Sequence, residues 1–400
     1  MALDFRAPRR ARAASILLLA ATMACSARHA FSPGSAPAAA PDPMPDSMQP
    51  QRRERLRAVL DEYRTKSGFP GAVASVYLFD GTSVDVAVGV ADRDLKTPME
   101  TGSRMLAGSV GKTFFAALAL QLVAKGRLGL DDPVKKYLGA APWFSRLPNG
   151  DRLTVRMLMN HTSGVGDYSP EVEAELVKEP DRERTPPELL ESVLGREPLF
   201  PAGGRFAYSD LNYILLALVC EEVTGRPAYE EIERRLLKPL KLGNVIPSVQ
   251  PRIPGLVPGY AGKANPWGDA MMKEGRLTLN PQFEGGGGGF AATAGDLARW
   301  IAAFCQGRAF SRSLLGEVFL GVDASSLGEG FRYGLGIQIH ETRWGTAYGH
   351  GGYFPGYLSW ARCYPDHGLA VAVQVNSSDN ALFARRLRDV LDDLAGAILE

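Results

Sequence analysis

Ala107-Gly108-Ser109-Val110-Gly111-Lys112-Thr113, with the apolar run 114–123 behind it, is the stretch that organises this 400-residue chain. Phe114, Phe115, Leu118, Leu120, Leu122 and Val123 make the run apolar nearly all round, the pattern of a helix buried in a large domain. Lys125-Gly126 ends it, a cation followed by a C-terminal glycine. Ser109 then falls in the first turn, with Lys112 three residues on and on the same face. A serine hydroxyl is a poor nucleophile until a nearby base takes its proton. A lysine amine assists if burial and a helix N-terminus lower its pKa. First-turn N–H groups favour a developing oxyanion. The same spacing also describes a serine at a helix start beside a solvated lysine, although Ser-x-x-Lys occurs only here in the chain.

Upstream, Arg6, Arg9, Arg10 and Arg12 precede an apolar stretch at 13–24 rich in Leu and Ala. A charged head, a short apolar core and small residues beyond it make a bacterial-type export signal over residues 1–30. The core is too short for a comfortable membrane span. Cys25 follows Thr22-Met23-Ala24, and a small residue before a cysteine resembles a lipoprotein cleavage site. Ordinary cleavage near 24–30 is the alternative, and the two readings stay open. Residues 31–50, dense in Pro, Ala, Ser and Met, read as a flexible tether.

Residues 51–400 form the mature domain, a length that suits one large domain or two interleaved ones. With 45 basic and 44 acidic residues the net charge is +1. No basic patch with interleaved aromatics is present, so nucleic acid is not an expected partner. Among the cysteines beyond Cys25, Cys220 lies in an apolar run and reads as a buried thiol. Cys305 and Cys363 complete an odd set, with no disulfide framework and no Cys/His zinc pattern visible. The five histidines show no metal-type spacing.

A helix is expected over 52–63, from Leu56, Val59, Leu60 and Tyr63. Strands are expected at 72–79 and 83–90, joined at Asp80-Gly81. Residues 128–331 read as helix and loop. Strands return at 334–340, 346–350, 358–363 and 369–375, before a helix at 380–399. The expected class is α/β of the α+β type: one antiparallel sheet built from both chain ends, flanked by helices, beside a mostly helical region.

Three further stretches bear on chemistry. In Asn160-His161-Thr162-Ser163-Gly164-Val165, His161 reads as a loop histidine that ties a tight turn together rather than as a catalytic group. Tyr208-Ser209-Asp210 precedes an apolar helix. Asp210 could cap that helix, while Tyr208 could be a phenol made acidic by a neighbouring ammonium and act as general base. Tyr348-Gly349-His350-Gly351-Gly352-Tyr353 is a strand end crowded with glycines, which often marks close approach of something to the backbone.

The order Ser109-Val110-Gly111-Lys112, Tyr208-Ser209-Asp210, His350-Gly351-Gly352 resembles the penicillin-recognising serine hydrolases, nearest to the class C β-lactamase branch with its D,D-peptidases and esterases. Gly126 to Pro133 along Gly-Arg-Leu-Gly-Leu-Asp-Asp-Pro, the Asn160 turn and residues 286–299 agree, so the resemblance runs from about residue 52 to the end. It implies a β-lactamase/transpeptidase-like fold in which Ser109 forms an acyl-enzyme and Lys112 and Tyr208 share the proton transfers. The oxyanion would lie between the backbone N–H groups of Ser109 and Tyr353, with Asp210, His350, Gly351 and Gly352 at the substrate. No metal or organic cofactor is implied. The chain departs from true class C enzymes at Asp210, where they carry asparagine, and at His350, where they carry lysine. Both changes disfavour anionic β-lactams, and Asp210 is expected to pair with Lys112 and hold it protonated. The expected activity is an exported hydrolase of small esters or amides, esterase-type first. A peptidase of D-amino acid substrates or a β-lactamase is the alternative, and a non-catalytic peptidoglycan-binding domain a third reading.

Overall fold

The structure, a computed structural model, describes residues 49–400. The export signal at 1–30, Cys25 and nearly all of the expected tether lie outside the described residues. The tether's last two positions are a correction: Gln49 and Pro50 open helix α1 (Gln49–Ser67). Leu56, Leu60 and Tyr63 form its buried stripe, the three-to-four spacing of an amphipathic helix.

Strands β1 (Gly71–Leu78) and β2 (Ser83–Asp92) follow, joined where Thr82 N–H donates to Asp80 Oδ1 at 2.7 Å and Gly81 takes φ 101°. After the helical middle, the chain returns as β3 (Gln338–Thr342), β4 (Gly345–Phe354), β5 (Tyr357–Tyr364) and β6 (Leu369–Val375). β6 pairs antiparallel with β1, setting Ala72 against Val375 and Val76 against Val371. The sheet has nine strands, in the order Thr97–Pro98, β2, β1, β6, β5, β4, β3, Arg332–Tyr333, Val322–Asp323. The two chain ends therefore meet at its centre.

Helices cover both faces, which is why β1 and β6 are apolar almost throughout rather than alternating. Four more helices matter here: α2 (Lys112–Ala124), α3 (Asp210–Thr224), α4 (Ala294–Cys305) and α5 (Leu387–Leu399). α1 and α5 press Leu56, Leu60, Leu391 and Leu394 onto Ala74, Val76, Val371 and Val373. α4 and α2 share the opposite core with Val73, Ala370 and Ala372. α2 ends at Lys125, and Gly126 takes the left-handed φ of 65°.

Besides the strand expected at 334–340, which runs Gln338–Thr342 because 334–337 form a bend, the structure corrects three boundaries. Ser109 sits in a separate 3-10 turn, Gly108–Gly111, ahead of α2. The strand expected to stop at His350 continues to Phe354. The last helix starts at Leu387, because 380–382 form a short turn capped by Asp379. A fourth correction concerns covalent structure: Cys305 at the end of α4 is bonded to Cys363 on β5, 58 residues away, while Cys220 is a buried free thiol. Three cysteines without a periodic spacing do not reveal which two will meet.

The disulfide staples a helix to the sheet across a long loop, which constrains the unfolded chain. Cys363→Ala should lower unfolding stability by about 2–4 kcal/mol. Urea titration should show a lower midpoint, and a midpoint equal to wild type would contradict the assignment.

Candidate active site

The Ser109 turn is clamped between two glycine-bearing segments. Gly108 has φ 50°, and a Cβ there would lie 2.5 Å from the backbone N and O of Tyr353 on β4. A Cβ on Gly352 would overlap Ala107 O, so β4 runs directly against the turn. On the other side a Cβ on Gly111 would overlap Gly288 O. A three-stranded sheet of Met105–Leu106, Phe290–Ala292 and Ile246–Pro247 holds that glycine run in place. The backbone nitrogens of Ser109 and Tyr353 thus meet at one crossing, beside a half-buried Ser109 side chain.

Lys112 is fully buried and its ammonium has three acceptors. Nζ donates to Ser109 Oγ at 2.8 Å, to Asp210 Oδ1 at 2.5 Å, and to the carbonyl of Gly287. Burial works against the charged amine, but the charge of Asp210 and the Tyr208 phenol outweigh it and raise the lysine pKa above its ordinary value. The pairing with Asp210 expected from the sequence is present and keeps the lysine protonated; the alternative, a lysine lowered by burial, is not found. Lys112 is an ammonium that orients Ser109.

Tyr208 precedes Ser209, the N-cap of α3. Its ring lies 5.0 Å from Lys112 Nζ, a cation–π approach. Burial pushes the phenol up to about 12, and the downward pull of Lys112 does not offset it. The expected acidic phenol is therefore not found. The Tyr208 hydroxyl is buried and makes no hydrogen bond of standard geometry.

Asp210 opens α3 with its carboxylate on Lys112, and its side chain keeps 32 % exposure. Two acids that the sequence did not single out stand near it. Its N–H donates to Asp167 Oδ1 at 3.0 Å, and Glu284 accepts from Gly289 N at 3.4 Å. Burial, and then the charge of Asp210, raise Asp167 to about 7 and Glu284 to about 8. Asp167 is an isolated acid in a loop and Glu284 lies in the short 3-10 helix Pro281–Gly287; the glycine run after Glu284 was the one local signal.

His350 is buried, with 1 % exposure, and both ring nitrogens are engaged. Its Nδ1–H donates to Gly351 O at 2.6 Å, which leaves Nε2 to accept from Tyr333 Oη at 2.8 Å. Burial and then Lys112 lower its pKa to about 3, so the ring is neutral. It was expected at the substrate; in this arrangement it offers no free nitrogen there. Gly351 has a packing reason, since a Cβ would lie 2.5 Å from the Trp360 ring. Tyr333, the partner of His350, was also missed; it comes from a two-residue strand next to the sheet edge, with no pattern to read. His161, in the Asn160 turn, is fully buried with φ 58°. Among the described residues no group of three or more His, Cys, Asp or Glu is placed to hold a metal.

The Beta-lactamase family profile matches residues 56–395. A Bacillus subtilis (strain 168) protein described as a penicillin-binding protein, PbpX, is 27 % identical over 282 residues. That alignment covers 68 % of this chain, which spans just under two thirds, 64 %, of the relative. Esterase EstB of Burkholderia gladioli is 27 % identical over 342 residues, 74 % of this chain and 85 % of the esterase. The crystal structure of a D-stereospecific amidohydrolase from Streptomyces sp. superposes with a TM-score of 0.73 at 29 % identity, covering 85 % of this chain and 97 % of that one. A serine, a lysine and a tyrosine converge on one crevice between sheet and helices, within a family match that takes in nearly all of the described chain; the chain belongs to the Beta-lactamase family of serine penicillin-recognising hydrolases.

Proposed function

We propose that the chain is an exported serine hydrolase that cleaves small esters, and secondarily amides, through an acyl-enzyme on Ser109, and that it favours neutral or cationic acyl donors over anionic ones. One observation carries this reading: the buried ammonium at Ser109, Lys112, is spent on Asp210 at 2.5 Å, with Asp167 and Glu284 close behind. A substrate carboxylate entering there meets carboxyl groups rather than a free positive charge.

In the proposed reaction the Ser109 Oγ attacks the carbonyl carbon while the carbonyl oxygen takes charge beside the Ser109 and Tyr353 amides. Lys112, donating to Oγ, stabilises the alkoxide as it forms. The serine proton passes to Tyr208 Oη in its phenolate form, which becomes the neutral phenol. As the tetrahedral adduct collapses, the bond to the leaving oxygen or nitrogen breaks and that atom takes the proton from Tyr208. Water then repeats the sequence and frees Ser109. Below a pKa of about 12 the phenolate fraction of Tyr208 grows tenfold per pH unit, so the rate should climb through neutral into alkaline pH.

A second reading, hydrolysis of D-amino acyl amides or peptides, is favoured by the partly exposed Asp210 carboxylate, which suits an α-ammonium. The D-stereospecific amidohydrolase likeness also supports it. The Cys305–Cys363 disulfide suits an oxidising compartment and so supports export. The signal at 1–30, the tether and lipid at Cys25 rest on the sequence alone.

Lys112→Ala combined with Tyr208→Phe should be little worse than the worse single variant, because groups acting as one unit are non-additive. Losses in kcat that add in free energy would contradict the shared role. Asp210→Asn should raise the nitrocefin to p-nitrophenyl acetate ratio of kcat/KM. Unit charges a few ångströms apart interact at roughly 4 kcal/mol for an effective dielectric near twenty, and a third of that is about tenfold. Because Asp210 raises the pKa of both Lys112 and Tyr208, the same variant should move the alkaline limb of the pH–rate profile to lower pH. A level ratio, or a limb that stays in place, would remove the electrostatic basis of the proposal. His350 is left alone in this test, since a lysine there would be buried against Tyr333.

A further inference from the structure

Ser109 and Lys112 share a hydrogen bond of standard geometry at their reacting atoms, whereas the Tyr208 hydroxyl meets both only through looser polar contacts. The backbone on either side of Tyr208 and one face of its ring are held by a single residue. Ala207 N–H, just before Tyr208, donates to the carbonyl of His161 at 2.9 Å. Ser209 N–H, just after it, donates to His161 Nδ1 at 3.3 Å. Between these two bonds the imidazole lies against the Tyr208 ring, with centroids 4.3 Å apart and planes 29° from parallel.

The ring itself is fixed. A backbone N–H only donates, so Nδ1 is an acceptor and the proton sits on Nε2. Asn212 on α3 donates a second bond to Nδ1 at 3.2 Å, and its own carbonyl oxygen accepts from Ser163 Oγ at 2.6 Å. Tyr333 closes the far side edge-on at 4.8 Å. The charged and titratable groups acting on the ring are Lys112 and His350, and with burial they hold it neutral. Nε2–H has no partner among the described residues. A buried, unpaired donor needs a reason: a phenylalanine would pack without it but could not accept the two bonds, and an asparagine would accept them but offer no aromatic face. Neutral histidine supplies an acceptor within the ring itself together with an aromatic face.

We infer that His161 is a positioning residue for Tyr208, clasping it through the two flanking amides and the face of its ring. The inference rests on the proposed proton-transfer role of Tyr208. It goes beyond a turn-tying histidine, because the turn His161 secures is the one that aims the phenol.

The test is a double-mutant cycle on p-nitrophenyl acetate hydrolysis. His161→Asn tolerates the left-handed backbone and retains an acceptor but loses the face. His161→Phe retains the face and loses the acceptor. Each should lower kcat by roughly tenfold to a hundredfold with KM within about twofold, as expected for a misaimed group. In a Tyr208→Phe background the same changes should alter kcat by less than about twofold. Equal losses in both backgrounds, an unchanged kcat in the wild-type background, or failure of both variants to fold would overturn the inference in favour of a purely structural histidine. A fully active Tyr208→Phe would instead remove the phenol from proton transfer, and the positioning role would fall with it.

Discussion

Everything around the crevice depends on the burial of one ammonium. Lys112 Nζ has three protons and three acceptors, and each acceptor comes from a different part of the chain: Ser109 from the turn before α2, Asp210 from the start of α3, Gly287 from the loop before Phe290. A charge taken out of water is tolerated only when it is fully paired. The lysine therefore fixes the relative placement of the three segments that build the site. Removing any one acceptor leaves a buried charge incompletely satisfied. The nucleophile is thereby aligned before any substrate arrives.

The sheet supplies the fourth wall. β4 passes so close to the Ser109 turn that Gly108 and Gly352 leave no room for a side chain, and this contact sets the Ser109 and Tyr353 amides side by side. Behind them a dry layer of neutral rings, His350, Tyr333 and His161, backs Tyr208. Such a layer adds shape and low polarity without competing for protons. The charge near Ser109 is concentrated on Lys112 and Asp210, with Asp167 and Glu284 pushed toward their neutral forms, and charge preference should be decided there.

Much of this was legible in the sequence. The strands at both chain ends betrayed themselves as short apolar runs with turn residues between them, since a sheet covered by α1, α5 and α4 demands them. Ser-x-x-Lys showed its spacing because i and i+3 are local. Burial was not legible, and the errors trace to it. Tyr208 has the ammonium neighbour that was expected, yet desolvation wins and the phenol is raised. His350 stands in the expected place with its nitrogens turned away to Tyr333 and Gly351. Asp167, Glu284, Tyr333 and the Cys305–Cys363 pair belong to segments far apart in sequence, and no periodicity announces such meetings.

The central claim is that Ser109 Oγ is the atom that carries the acyl group. Intact mass spectrometry after treatment with a fluorophosphonate, followed by peptide mapping, tests it directly. The account predicts a single covalent adduct, on the peptide that contains Ser109, absent from Ser109→Ala. An adduct on another peptide, or a Ser109→Ala variant that is still labelled and still turns over esters, would contradict it.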